Sequence, residues 1–268
     1  MDLSVSLEDI QHVENFLGQG DVESALPALL EMRDAIEDYA ERVCRATDHI
    51  QYFTFSDSFE LLAYRRVEKD PRTIQQAPIP FDRVYSDLAF VYIQQQEYAL
   101  ARDALKQAVR WNPMNCAYRL DLAELYRVLG DAREWAALNY SVLARAADAK
   151  LFGRACAGLG LFFLDKDEKM LASGFARRAA AYAPGERQTL SLMQRLMAEA
   201  PEEANASEEE AARASKSRLR SRSDARSLSA CSCALPMPRR RATATRRLGT
   251  PCAPATWLAR MRQRRSSS

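Results

Sequence analysis

The sequence predicts an all-α fold built from antiparallel helix hairpins, followed by a disordered basic tail. Three observations predict it. A helix–turn–helix pattern of apolar and small residues recurs through the middle of the chain. Only 9 of the 268 residues are Gly, so few positions oppose helix formation. From Arg213 onward the composition changes: 15 Lys and Arg face one acid, Asp224, and Val, Ile, Phe, Tyr, Asn and Glu are missing.

In chain order, residues 1–54 read as a helical hairpin, either a degenerate copy of the later unit or a terminal cap. Ile10, Val13, Phe16 and Leu17 make one stripe, and Gly18-Gln19-Gly20-Asp21 breaks it. Ala25, Leu26, Leu29, Leu30 and Met32 make the next, and the helix is expected to continue from Ala35 to Thr47. Asp57 followed by Glu60 resembles a capping pair that starts a helix through Leu61, Leu62, Tyr64 and Val67. Asp70-Pro71 ends it, and residues 75–80 read as a proline-marked connector.

The central stretch, residues 82–113, organises the rest. Tyr85, Leu88, Ala89 and Tyr92 fall on one helical face, and Tyr98, Ala101, Leu105 and Ala108 fall on one face of the next helix. The alanines let two backbones approach, the aromatic rings fill the space beside them, and Pro113 stops the second helix. Leu122, Ala123 and Tyr126 repeat the first helix 34 residues on, and the turn Leu129-Gly130-Asp131 follows. Trp135 then occupies a position where a small residue is expected, and this helix is expected to run to about Ala147. Leu159-Gly160, Phe163, Ala172, Ala176, Ala179 and Pro184 give a third unit. Because Leu122 to Leu159 spans 37 residues, three extra residues lengthen a helix or loop between them.

Residues 82–184 resemble the tetratricopeptide repeat family, whose pattern is W-x2-L-G-x2-Y, then A-x3-F, then P, over about 34 residues. Tyr85 stands for the Trp, Leu88-Ala89 for Leu-Gly, Tyr92 for the Tyr, Ala101 and Leu105 for A-x3-F, and Pro113 for the closing Pro. The resemblance implies an α-solenoid, a TPR-like superhelix over residues 55–199. Its repeats would be 82–115, 116–152 and 153–186, with a capping helix at 186–199 that carries Leu190, Leu192, Met193, Leu196 and Met197.

In this family the first helices line a groove that binds peptides or helices. Carried onto this chain, the groove would show Arg83, Ser86, Phe90, Ile93 and Gln94, then Leu120, Glu124, Arg127 and Val128. Arg154, Ala157, Leu161, Leu164 and Asp165 would complete it. Phe90, Ile93, Leu120, Val128, Leu161 and Leu164 would form an apolar floor, either open to an amphipathic helix or filled by the chain's own terminal helix. Some members clamp chaperone C-termini with Lys and Asn; Ser86, Phe90 and Gln94 stand here instead and argue against that ligand.

Residues 200–212 read as an acidic linker, and 213–268 as a disordered Arg/Ser-rich tail that cannot bury enough apolar surface to order itself. The tail carries a net +14, whereas the 212 residues before it hold 23 Lys and Arg against 35 acids, a net −12. Two readings of the tail stay open: a selected basic segment, or GC-rich DNA read out of frame. Taken as selected, it supplies the alternative function, binding nucleic acid or an acidic partner with steep salt dependence, although Trp257 is its only aromatic.

Chemistry-bearing motifs are thin. His12 and His49 belong to no HExxH or triad pattern, and Gly158-Leu159-Gly160 lies within a helix rather than after a strand, so close helix packing explains it better than phosphate binding. Cys44, Cys116 and Cys156 read as small buried hydrophobes, and Cys231-Ser-Cys233 with Cys252 lacks metal-site spacing. The N-terminal MDLSVSLEDI has neither a basic region nor an apolar run, so no signal peptide is expected. The expectation is a cytoplasmic, non-enzymatic interaction scaffold without cofactor or metal, whose partner is a protein or peptide and not a membrane.

Overall fold

The computed structural model describes residues 3–205, and the described residues are mostly helical. The expectation for 213–268, and that for most of 200–212, lie outside them.

The chain opens with a hairpin, α1 (Leu7–Gln19) and α2 (Val22–Arg42). Ser6 caps α1: its hydroxyl accepts from Asp9 N, and the Asp9 carboxylate accepts from Ser6 N in return. The helix expected to reach Thr47 stops at Arg42. The Thr47 hydroxyl accepts from His49 N and Ile50 N, which turns the backbone out of helical geometry.

An excursion follows: β1 (Ile50–Phe53), α3 (Ser58–Glu68) and β2 (Thr73–Gln76). The strands pair in parallel, Ile50 opposite Thr73 and Phe53 opposite Gln76. The connector expected at 75–80 therefore begins as a strand, and the boundary expected at 54/55 falls inside one paired unit. The Asp57 carboxylate caps α3 by accepting from Glu60 N at 2.8 Å, as the capping pair predicts, while Glu60 accepts from Ser56 N. Phe53, Phe55, Tyr64 and Met114 form the apolar centre that seats the excursion on the helices beyond.

Three hairpins follow: α4 (Phe81–Gln94) with α5 (Tyr98–Trp111), α6 (Cys116–Val128) with α7 (Ala132–Leu143), and α8 (Ala149–Asp165) with α9 (Lys169–Tyr182). Then come α10 (Arg187–Glu199) and the short α11 (Pro201–Ala204). Each helix packs on the next in chain order, and α2 packs on α4 across the excursion. The spacing-three pattern holds: Tyr85, Leu88, Ala89, Ala101, Leu105 and Ala108 are buried, as are Leu122, Ala123, Tyr126, Ala172, Ala176 and Ala179. The three extra residues sit in α8, which has 17 residues where α4 has 14 and α6 has 13. The helix expected to reach Ala147 stops at Leu143, and Arg145 N and Ala146 N both close back onto Val142 O.

The four hairpins share one turn. In each, a residue in the left-handed region sits between the helices: Gly20 (φ 85), Gln96 (φ 63), Gly130 (φ 81) and Asp167 (φ 59). The next residue, an acid each time, donates its backbone N–H five residues back. Asp21 reaches Phe16 O at 3.0 Å, Glu97 reaches Tyr92 O at 2.8 Å, and Asp131 and Glu168 reach Tyr126 O and Phe163 O at 2.9 Å.

Candidate functional site

The first helices of successive hairpins, with α10, are tied to one another through polar side chains. Arg83 of α4 donates twice to Glu14 of α1, at 2.9 and 2.5 Å. The Tyr118 hydroxyl of α6 donates to Asp82 of α4 at 3.2 Å. Arg154 of α8 reaches Asp121 of α6 at 3.4 Å, with both side chains almost fully buried. Arg195 of α10 donates to Asp165 of α8 at 2.9 Å, and Gln188 of α10 reaches past α8 to Glu124 of α6. Glu124 also holds Arg127 of its own helix at 3.0 Å.

Against this geometry the expected groove residues divide into three groups. Ser86, Phe90, Ile93, Leu120 and Leu164 are buried, at 8%, 7%, 4%, 3% and 5% exposure. Phe90 and Ile93 belong to the core shared by α1, α2 and α4 to α7. Leu120 lies with Cys116, Val142 and Ala155, between helices rather than on the open flank. Leu164 lies in the cluster that includes Leu192 and Leu196 of α10. Glu124, Val128 and Leu161 are half-buried, while Gln94, Arg127 and Asp165 are exposed. The apolar floor is thus mostly closed. What remains open is polar and sits where each first helix meets its turn.

The sequence reading missed one buried polar junction. Asp82 is 3% exposed. The Thr54 hydroxyl, arriving from the excursion, donates to its Oδ1 at 2.7 Å, and Tyr118 donates to its Oδ2. Burial pushes the Asp82 carboxyl up to about 6, those two hydrogen bonds hold it down in part, and the Glu60 charge adds to the rise. Beside it Thr54 N donates to Trp111 O, and Asn112 Nδ2 donates to Glu60 Oε2 at 3.0 Å. The signal available was an acid in the first turn of α4, one turn before Tyr85 of the packing stripe.

The remaining candidates act as packing. Burial pushes the Cys116 thiol up to about 11 and the Cys156 thiol up to about 12, far from the range where a thiolate nucleophile works at neutral pH. His12 and His49 are exposed, and His12 packs edge-on against Phe16. A Cβ at Gly158 would lie 2.4 Å from Asn139 Oδ1 and one at Gly160 2.3 Å from Leu192 Cδ2, so both glycines mark close helix approach, as expected. Among the described residues no group of three His, Cys, Asp or Glu side chains is placed to hold a metal ion, and no helix is long and apolar enough to cross a membrane.

No protein-family model matches the sequence, and no curated protein matches it. A solved structure, that of BtubC (BKLC) from P. vanneervenii, is similar at 13% identity and a TM-score of 0.41, covering 90% of this chain and 95% of that one.

Proposed function

We propose that the chain is a non-enzymatic interaction scaffold of the tetratricopeptide type, an α-solenoid whose first helices present one flank to a protein partner. The observation that carries this reading is the shared turn. Four hairpins close with the same left-handed residue and the same five-residue backbone bond, and each packs on its neighbour in chain order. A device repeated four times in one chain is what a stack of equivalent units requires.

The partner on this reading is an extended peptide. The deep apolar positions are occupied by the chain's own helices, so an amphipathic helix finds no continuous apolar slot. Gln94, Arg127 and Asp165 supply polar contacts at the open edge, with half-buried Val128 and Leu161 beside them.

Photo-crosslinkable residues introduced singly at Gln94, Arg127 and Asp165 of the full chain test the proposal. All three are expected to capture the same partner, while a control at exposed Asp103 on α5 captures none. Equal capture at Asp103, or different partners from the three sites, overturns the reading.

A further inference from the structure

The excursion carries a surface that the scaffold reading does not use. Phe59 is 80% exposed and Leu62 is 63% exposed, the two most exposed large apolar side chains among the described residues. They lie three residues apart on α3, and Arg66 follows Leu62 by four, so the three share one helical face. Arg65 and Lys69 flank that face, and all three cations are exposed.

The charges of α3 are sorted. Its acids are engaged: Glu60 accepts from Asn112 and from Ser56 N, and Glu68 pairs with Arg145 of the segment after α7. Asp57 caps the helix, and Asp70 just beyond it is held by Arg72, whose hydrogen bonds keep that carboxyl down at about 2. Among the described residues no carboxylate pairs with Arg65, Arg66 or Lys69, so the outward face is apolar at its centre and cationic at its margin.

The helix is also tied down on its inner side. Thr54 is fastened to Asp82 and Trp111, Asn112 holds Glu60, Arg145 holds Glu68, and Phe53, Phe55 and Tyr64 pack on Met114. A face fixed in advance loses little entropy on binding.

We propose that the outer face of α3 is a docking site for an acidic peptide with apolar anchors, Phe59 and Leu62 taking the apolar side chains and Arg65, Arg66 and Lys69 the carboxylates. A local acidic peptide fits better than an anionic membrane. Residues 1–212 carry a net −12, and a flat anionic surface would meet that whole body rather than one helix face. This site is separate from the flank of first helices and does not depend on it.

The test is a selection of random displayed peptides, about a dozen residues long, on the full chain, with counter-selection on the full chain carrying F59S and L62S. Peptides drawn to the basic tail bind both chains and are removed. The survivors are expected to place Asp or Glu beside Leu, Phe or Trp. They are expected to lose roughly tenfold or more in affinity to the double serine variant and to a second variant, R65Q/R66Q. Both variants alter exposed side chains and are expected to melt with the parent; R65Q/R66Q keeps every apolar side chain and decides the matter if the serine variant does not fold. No surviving peptides, or survivors indifferent to R65Q/R66Q, overturns the proposal. Phosphatidylserine vesicles binding through Phe59 and Leu62, with no peptide enriched, overturns it in favour of a membrane surface.

Discussion

Asp82 offers the sharpest quantitative prediction. Its carboxyl is buried between Thr54 and Tyr118 and titrates at about 6 instead of 3.8. Between those two pH values the folded chain holds a proton that the unfolded chain has released. Stability from this group is therefore fully present below the lower value and is lost as pH rises through the upper one. Above it the buried carboxylate costs about 3 kcal/mol, two pH units at about 1.4 kcal/mol each. D82N has the same shape, accepts from Thr54 through its amide oxygen and donates to the Tyr118 oxygen through its amide nitrogen, and carries no charge. It is expected to be about 1–3 kcal/mol more stable than the parent near pH 8, the advantage shrinking toward pH 4. D82A, by contrast, strands the Thr54 hydroxyl and is expected to be destabilised by about 1–3 kcal/mol near pH 4, the deficit shrinking as pH rises because only the parent then holds a buried carboxylate. Urea melts followed by helical circular dichroism across that range measure all three chains. A D82N chain less stable than the parent near pH 8, or a gap that does not change with pH, refutes the reasoning.

The shared turn makes a second prediction: Q96G and D167G relieve left-handed strain and stabilise by about 1 kcal/mol each, whereas G130A destabilises by a similar amount, all by thermal melts. Two helical glycines give opposite signs. G18A has open space around its new methyl and stabilises by about 0.5–1 kcal/mol, while G153A meets Ala183 Cβ at 2.5 Å and its backbone N at 2.9 Å and destabilises. D121L leaves the Arg154 guanidinium buried without that carboxylate and costs about 3–5 kcal/mol, and a double-mutant cycle with R154M recovers a large part of it.

How far the fold could be read from the sequence depended on what each segment packs against. The hairpins from Tyr85 onward were legible because each helix meets its neighbour in chain order, so the rule linking spacing to face is local. The excursion was not. β2, Thr73–Gln76, offers only one half-buried residue and no alternation, and its partner β1 lies across α3. The signal in β1 was present, since Ile50 to Phe55 is rich in aromatic and β-branched residues, but the helix expected to reach Thr47 crowded it out. Arg119, 34 residues after Tyr85, was opaque for another reason: it is buried because its guanidinium donates to Pro113 O at 2.9 and 2.8 Å. The groove was half legible. Of the residues expected to line it, Ser86, Phe90, Ile93, Leu120 and Leu164 are buried, because what lies over them comes from far along the chain. Glu14 meets Arg83 and Gln188 meets Glu124 across separations of 69 and 64 residues, which no local pattern encodes.

The closing of that groove constrains the proposed ligand in a measurable way. Gln94, Arg127 and Asp165 each sit within two residues of their helix's turn, so on the proposed reading a peptide runs along the turn-end edge and crosses the helices. Directly packed helices lie about 8–10 Å apart, and α4 reaches α6 mainly through α5, so the outer two positions are separated by at least roughly 16–20 Å. An extended chain advances about 3.3 Å per residue, which makes five or six residues the shortest segment touching all three. Truncation of a captured partner is expected to hold affinity down to about that length and to lose it steeply below, because a shorter peptide forfeits one end contact outright. Full affinity retained by a three-residue fragment means the ligand sits on one helix, and the edge-wise arrangement is then wrong.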